Sequence, residues 1–154
     1  MTDQQRHPTL EYLEPLAGEW VITATHRLLP DDEITGHATF EWLDGNRFLI
    51  WRMHYDHPDI PDSVAVIGCE DQEGADATVG GCTVNYFDAR GVSRRYVIEA
   101  EPGTWRYWRD WPGFSQRFTG RFSDDGRTMS GVAELCEDGT AWMEDLPMTY
   151  RRVG

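Results

Sequence analysis

The sequence has no long apolar run and few cysteines. No window of about 20 residues is apolar enough to span a bilayer. The N-terminal residues lack the basic stretch, apolar run and small-residue cleavage site of a secretory leader. The three cysteines, Cys69, Cys82 and Cys136, are odd in number and widely spaced, which argues against a disulfide framework. These absences predict a soluble cytoplasmic protein with reduced thiols.

Basic side chains are also scarce. The chain has 14 Lys and Arg residues against 27 Asp and Glu residues, which gives a formal net charge of −13. That charge repels phosphate backbones and anionic lipid headgroups, so neither nucleic acid nor a membrane surface is an expected partner. Solubility explains the charge more simply than recognition of a cationic partner does.

Motifs of common enzyme classes are missing as well. No G-x-S-x-G sequence places a nucleophilic serine on a strand-to-helix turn. Neither G-x-G-x-x-G nor a P-loop is present. A hydrolase mechanism and a nucleotide cofactor therefore lack support, and we expect no cofactor.

The chain does carry many aromatic residues in segments of alternating polarity. It has seven Trp, six Tyr and six Phe among 154 residues. Helical spacing over residues 7–14 predicts one short helix, which Pro15 ends. From Gly18 onward a period of two predicts about ten strands, separated by turn sequences such as Asp44-Gly45-Asn46. The predicted strands are 19–29, 33–43, 47–55, 63–70, 81–88, 92–101, 104–110, 114–122, 128–136 and 140–152.

A meander of this many antiparallel strands has unpaired edges unless it closes on itself. We therefore predict an all-β fold, a single antiparallel up-and-down β-barrel of about ten strands with a short N-terminal helix. One domain should cover residues 1–154, with residues 1–7 as a flexible lead. Two long acidic connections, residues 56–62 and 71–80, are candidates to flank an entrance.

Strand alternation predicts which side chains face the barrel interior. A solid core favours Leu, Ile and Val, whereas large aromatics interleaved with a few polar groups are typical of a cavity lining. One alternative stays open: the aromatics simply fill the barrel, and a bulge moves the polar residues to the outer wall. The predicted ligand-binding residues are His26, Phe40, Trp42, Trp51, Met53, Tyr55, Trp105, Tyr107, Arg109, Gln116, Phe118, Trp142 and Glu144.

The motif Leu16-x-Gly18-x-Trp20 follows the helix and opens the first strand, and Tyr150-Arg151-Arg152 ends the last. Together these segments resemble the signature of the calycin superfamily. Within that superfamily, Leu16-x-Gly18-x-Trp20 followed by Thr39-Phe40-Glu41-Trp42-Leu43-x-Gly45-x-Arg47-Phe48-Leu49 is most similar to small bacterial lipocalin-like proteins of the DUF1579 type, relatives of the nitrobindin and fatty-acid-binding barrels. The resemblance implies that Trp20 plugs the closed end under Arg151 or Arg152, with Gly18 beside it.

Metal and haem sites are not expected. Nitrobindin-like proteins open on a longer glycine-rich motif and bind haem through a late histidine, whereas here Ile22 and Ala24 occupy the glycine positions and His57 is the last histidine. His54 and His57 point to opposite faces of an extended chain, so their spacing does not predict a metal site.

Three functional hypotheses follow. The first is binding of a small hydrophobic molecule in the barrel interior. The second is a small barrel enzyme of the isomerase or cyclase type, in which His26, Glu144 or Tyr107 moves a proton. The third is a structural or partner-binding domain whose barrel face forms a homodimer, so monomer and homodimer both remain open.

Overall fold

A computed structural model describes residues 6–26, 29–69 and 81–154. Helix α1 (Pro8–Tyr12) is followed by a 3-10 turn (Glu14–Leu16). The strands are β1 (Gly18–His26), β2 (Leu29–Trp42), β3 (Phe48–Tyr55), β4 (Ser63–Cys69), β5 (Cys82–Asp88), β6 (Ser93–Glu101), β7 (Thr104–Arg109), β8 (Ser115–Phe122), β9 (Thr128–Cys136) and β10 (Met143–Arg152).

The ten strands form a closed antiparallel barrel. Each strand pairs with its neighbours in sequence, and β1 pairs with β10, with Trp20 opposite Arg152. The predicted fold class is therefore confirmed. No helix in the described part of the chain is long and apolar enough to cross a membrane.

Successive connections lie at opposite ends of the barrel because every strand reverses direction. The closed end contains the start of β1, the end of β4 and the start of β5. The other end, here called the mouth, carries the connections at residues 56–62, 89–92, 110–114 and 137–142. Of the two connections predicted to flank an entrance, 56–62 lies at the mouth. Residues 71–80 lie outside the described residues, but their flanks Cys69 and Cys82 are at the closed end.

The N-terminal helix covers the closed end. Pro8 occupies its first position, and the His7 side chain accepts a hydrogen bond from the Thr9 backbone N–H. Leu10 of the helix, Leu13 at its C-terminal cap and Leu16 of the 3-10 turn are buried in the core. The N-terminal flank of the helix is anchored by side chains as well.

Arg6 and His7 contact the barrel even though both belong to the predicted flexible lead. The Arg6 guanidinium pairs with Glu11 at 3.0 Å and Glu14 at 2.9 Å, and its Cζ lies 4.5 Å from the Trp42 ring centroid. Residues 1–5 of that lead lie outside the described residues.

One irregularity in β10 reverses two side chains. Glu144 pairs with Glu134, but the next register pair is Leu146 with Ala133, so Asp145 is an extra residue. Beyond this bulge Leu146, Met148 and Tyr150 face inward, whereas Trp142 and Glu144 face outward. The predicted inward orientation of Trp142 and Glu144 is wrong for this reason, and the alternative of a bulge applies here.

The cysteine prediction is also corrected. Cys69 and Cys82 are register partners on β4 and β5, and their sulfurs form a disulfide. Cys136 is free and buried. The odd count had favoured three reduced thiols, but antiparallel pairing of two adjacent strands places these two cysteines side by side.

Candidate functional site

Trp20 and Arg152 seal the closed end. Trp20 is 0% exposed, and its indole N–H donates to the Leu16 carbonyl at 2.8 Å. Arg152 Cζ lies 4.3 Å from the Trp20 ring centroid, and the guanidinium donates to the carbonyls of Pro15 and Ala17. Burial lowers the pKa of Arg152 from its usual value. The guanidinium is held in place by three carbonyl acceptors, those of Pro15, Ala17 and Gly126.

Two neighbours complete this closure. A Cβ at Gly18 would lie 2.8 Å from Arg152 Nη1, and the φ of Gly18 is +128°, so both space and conformation require glycine there. Arg151 points outward, where it donates to Thr23 Oγ1 at 3.3 Å. Of the two arginines considered, Arg152 is therefore the one over Trp20.

Aromatic rings contact one another in the middle of the barrel. Trp51 stacks on Phe40 at 5.1 Å between centroids and meets Trp105 edge-on at 5.6 Å. Tyr107 stacks on Phe118 at 5.0 Å and meets Tyr96 edge-on at 5.1 Å. These rings form one continuous inner lining from the closed end toward the mouth; its members are Phe40, Trp51, Tyr55, Tyr96, Trp105, Tyr107 and Phe118.

Two buried indole N–H groups, one of them in this lining, have no hydrogen-bond partner among the residues that the structure describes. They belong to Trp42 and Trp51, and Trp51 is only 2% exposed. Leaving a buried donor unsatisfied costs about 1–3 kcal/mol. An acceptor placed beside Trp51 would therefore be stabilised.

Inner side chains are partly buried at both ends of the barrel. Trp20, Leu49 and Met129, near the closed end, are 0% exposed, but Trp42, Ala100 and Phe122 at the same end are only partly buried. Toward the mouth the partly buried inner side chains are Met53, Tyr86, Tyr107, Ala133 and Leu146, whereas Tyr55 is 7% exposed.

Polar groups ring the mouth. Gln116 Oε1 accepts hydrogen bonds from Arg94 at 3.0 Å and from the Tyr96 hydroxyl at 3.1 Å. The Tyr86 hydroxyl donates to Asp88 at 2.8 Å, and Arg90 pairs with the same carboxylate. Arg90 holds the pKa of Asp88 well below its usual value, so this carboxylate stays charged at neutral pH.

The inner tyrosines stay protonated over the physiological range. Burial raises the pKa of Tyr55 to about 12, and it raises the pKa values of Tyr107 and Tyr150 well above 10. The hydroxyls of Tyr55 and Tyr150 both donate to Met53 Sδ, at 3.7 and 3.8 Å. Neutral phenols cannot act as bases at pH 7.

The remaining predicted site residues do not all join this lining. Arg109 lies at the mouth with its Cζ 4.4 Å from the Trp111 ring. Trp142 lies outside the barrel under Arg117, and Glu144 is exposed. The backbone of His26 ends β1, but its side chain lies outside the described residues.

Sequence reasoning missed Arg94, Tyr96 and Tyr86 at the mouth. The alternation Arg94-x-Tyr96-x-Ile98 along β6 was the available signal, since Ile98 and Tyr96 are buried on one face. Tyr86 sits one strand away, opposite Arg94 in the register. Aromatic and charged residues on the inner face of two neighbouring strands, β5 and β6, thus indicated the polar groups at the mouth.

A groove of about 630 Å³ lies along β6 to β9, and its lining includes Glu99, Arg106, Arg117 and Glu134 of the outer face. Arg117 is held there by Glu134 at 3.0 Å and stacks on Trp142 at 4.0 Å. Arg106 is paired with Glu99 at 2.9 Å. Both arginines already have carboxylate partners, so the groove offers no uncompensated positive charge from them.

His54 carries an exposed charge cluster on the outer wall. Its Nδ1 lies 2.6 Å from Asp62 and its Nε2 lies 3.1 Å from Asp56. Hydrogen bonds to these carboxylates raise the pKa of His54 above 6.5. The imidazolium is thereby favoured in the folded state.

We expect Asp62→Asn to lower the pKa of His54 in an NMR titration, because Asp62 is the strongest hydrogen-bond partner of the ring. The raised pKa also means that the imidazolium contributes stability below pH 6.5, and that this contribution is lost as pH rises through the folded-state pKa. Asp59→Asn is the matched control, since Asp59 does not contact the ring. Equal His54 titration curves for wild type and Asp62→Asn would contradict this assignment.

Comparison with known proteins adds a fold relative. No family model matches the chain, and no curated protein matches it. The crystal structure of Rv2717c from M. tuberculosis superposes with a TM-score of 0.64, covering 97% of this chain and 100% of that one. The sequence identity is 13%, so the similarity shows a shared fold.

Proposed function

We propose that the barrel binds a small hydrophobic molecule in its interior and that this molecule enters through the mouth. The observation that carries this proposal is the indole N–H of Trp51, which is buried in an aromatic lining without an acceptor. A ligand with an apolar body and one carbonyl or ether oxygen would satisfy that donor. Trp51 also lies 6.0 Å from Tyr107, which is partly exposed near the mouth.

The rim suggests which end of the ligand faces solvent. Arg94, Tyr96 and Gln116 form a hydrogen-bonded group at the mouth, with Arg94 Cζ 5.5 Å from the Phe114 ring. A polar or anionic group on the ligand would find donors there, while the apolar body contacts the rings below. The preferred ligand is accordingly amphipathic.

Membership of the calycin superfamily is part of the same proposal. The cation–π pair of Trp20 and Arg152 is the arrangement that the sequence resemblance implies, and the fold relative supports a barrel of this kind. The lipocalin-like DUF1579 assignment rests on the motifs alone.

Binding is better supported than proton-transfer catalysis. Glu144 is exposed on the outer wall, and the phenol of Tyr107 remains protonated at neutral pH because burial raises its pKa. Glu144 and Tyr107 therefore do not supply a catalytic base to the barrel interior.

Titration with an anilinonaphthalene sulfonate dye tests the proposal. We expect saturable binding of one dye per chain, with quenching of tryptophan emission because Trp51 and Trp105 line the interior. Trp51→Phe should weaken the quenching of tryptophan emission. Trp111 is exposed, so Trp111→Phe should leave the affinity for the dye within about twofold of wild type. Dye binding that does not saturate, or that appears only on unfolding, would exclude an interior site.

A further inference from the structure

Three side chains with metal-binding chemistry meet at the closed end, away from the mouth. Cys69 ends β4, Cys82 begins β5, and His7 caps the start of α1. His7 Nδ1 lies 3.5 Å from Cys82 Sγ. The ligand atoms of all three residues lie within 4.8 Å of one another.

We propose that reduction of the Cys69–Cys82 disulfide creates a binding site for a thiophilic divalent cation of the zinc class. Thiolate and imidazole are the ligands that zinc prefers in proteins. Bonds of about 2.3 Å to sulfur and about 2.0 Å to nitrogen, at a tetrahedral angle, place those atoms about 3.5 Å apart. Cys82 and His7 already have this separation.

The sulfurs need only a local rearrangement. In a tetrahedral site two thiolates lie about 3.8 Å apart, and rotation about the Cα–Cβ bonds provides this separation. The strands need not move, because Cys69 and Cys82 are direct register partners on adjacent strands. Cys82 is 4% exposed and Cys69 is partly buried, so the site is sheltered from bulk water.

A thiol reductant can open the Cys69–Cys82 disulfide. Two reductant thiols supply two electrons and two protons, the Cys69–Cys82 bond breaks, and the reductant leaves as its own disulfide. The cation then displaces the protons of the two protein thiols, which bind as thiolates. Two-electron oxidation by a disulfide re-forms the bond and releases the cation.

His7 must exchange one contact to take part. Its Nδ1 also accepts the Thr9 backbone N–H at 3.2 Å, and a cation on Nδ1 would replace that hydrogen bond. Thr9 lies in the first turn of α1, where backbone N–H groups have no partner within the helix and are readily solvated. A fourth coordination position remains for water, as in zinc sites with three protein ligands.

The site would join α1 to β4 and β5. Metal binding should therefore raise the melting temperature of the reduced protein, since a ligand bound only by the folded state stabilises that state. The oxidised protein should show no such rise, because its sulfurs are bonded to each other.

The experiment is an anaerobic titration of the full chain with Co²⁺ and then Zn²⁺. The chain is first reduced by a dithiol, which is then removed. We expect one Co²⁺ per chain, with thiolate-to-cobalt charge-transfer absorption that Zn²⁺ abolishes. Cys82→Ser and Cys69→Ser should each weaken binding at least about 100-fold, since even loss of an outer-shell partner costs about 10–100-fold. Cys136→Ser is the matched control and should bind like wild type.

His7→Asn tests the third ligand separately. Asparagine retains an acceptor for the Thr9 N–H, so the helix cap survives while the imidazole is lost. We expect weakened Co²⁺ binding with an unchanged melting temperature in the absence of metal. The proposal is overturned if the disulfide resists the dithiol in the folded chain, if Cys82→Ser binds Co²⁺ as tightly as wild type, or if His7→Asn leaves the affinity unchanged.

Discussion

Replacing Trp20 by alanine is expected to lower the free energy of unfolding by about 3–5 kcal/mol, the usual cost of removing a buried tryptophan. The ring is 0% exposed and packs against Tyr150 and Phe122, with centroids 6.3 and 6.5 Å away. Its loss would also remove the ring beneath the Arg152 guanidinium. Urea denaturation followed by far-UV circular dichroism measures the change.

Trp111→Ala is the matched control for Trp20→Ala. Trp111 is 56% exposed at the mouth, where it contacts Arg109. An exposed cation–π contact contributes about 0.5–1 kcal/mol, so this variant should lose about 1 kcal/mol or less. If the two alanine variants unfold at the same urea concentration, Trp20 does not seal the barrel in the way described above.

Replacing Ala133 by phenylalanine is expected to weaken binding of the dye in the barrel interior. Ala133 faces inward on β9 between Phe118 and Leu146 and is only partly buried, so a phenyl group there would occupy space near the mouth. If the phenyl group displaces about 100 Å² of ligand contact, at about 25 cal/mol per Å², binding weakens by about 2.5 kcal/mol. That change corresponds to a roughly 70-fold higher Kd for the dye.

Ser130→Phe adds the same group to the same strand but on its exposed face, so it should bind the dye like wild type. Far-UV circular dichroism and thermal melting establish that both variants are folded before their affinities are compared. The smaller change Ala133→Val gives an intermediate test if Ala133→Phe does not fold. Unchanged dye affinity in a folded Ala133→Phe or Ala133→Val variant would rule out an interior site at the mouth.

The architecture could be derived from the sequence because its signals are local and repeated. Alternating polarity and short turn sequences define each strand, and a meander without free edges must close. The segment predicted at 47–55, for example, appears as Phe48–Tyr55. Trp51, Phe40 and Phe118 were placed on the inner face by the same alternation, and all three are buried.

The errors arise where one residue changes the register or where contacts are long-range. Alternation alone cannot reveal the extra residue Asp145, which turns Trp142 and Glu144 outward. The disulfide did have a signal, because Cys69 is next to the end of one predicted strand and Cys82 is next to the start of the following one, so they face each other across a hairpin. The contact between His7 and Cys82 spans 75 residues of sequence, and no local pattern predicts it.

Native mass spectrometry of the protein purified from its own host tests the interior-binding proposal most directly. The proposal predicts a chain that carries one noncovalent small molecule, which is released on denaturation and is apolar over most of its surface. The same molecule should be missing from Ala133→Phe purified in the same way. Detection of the bare chain alone, both as purified and after incubation with the dye, would contradict the proposal.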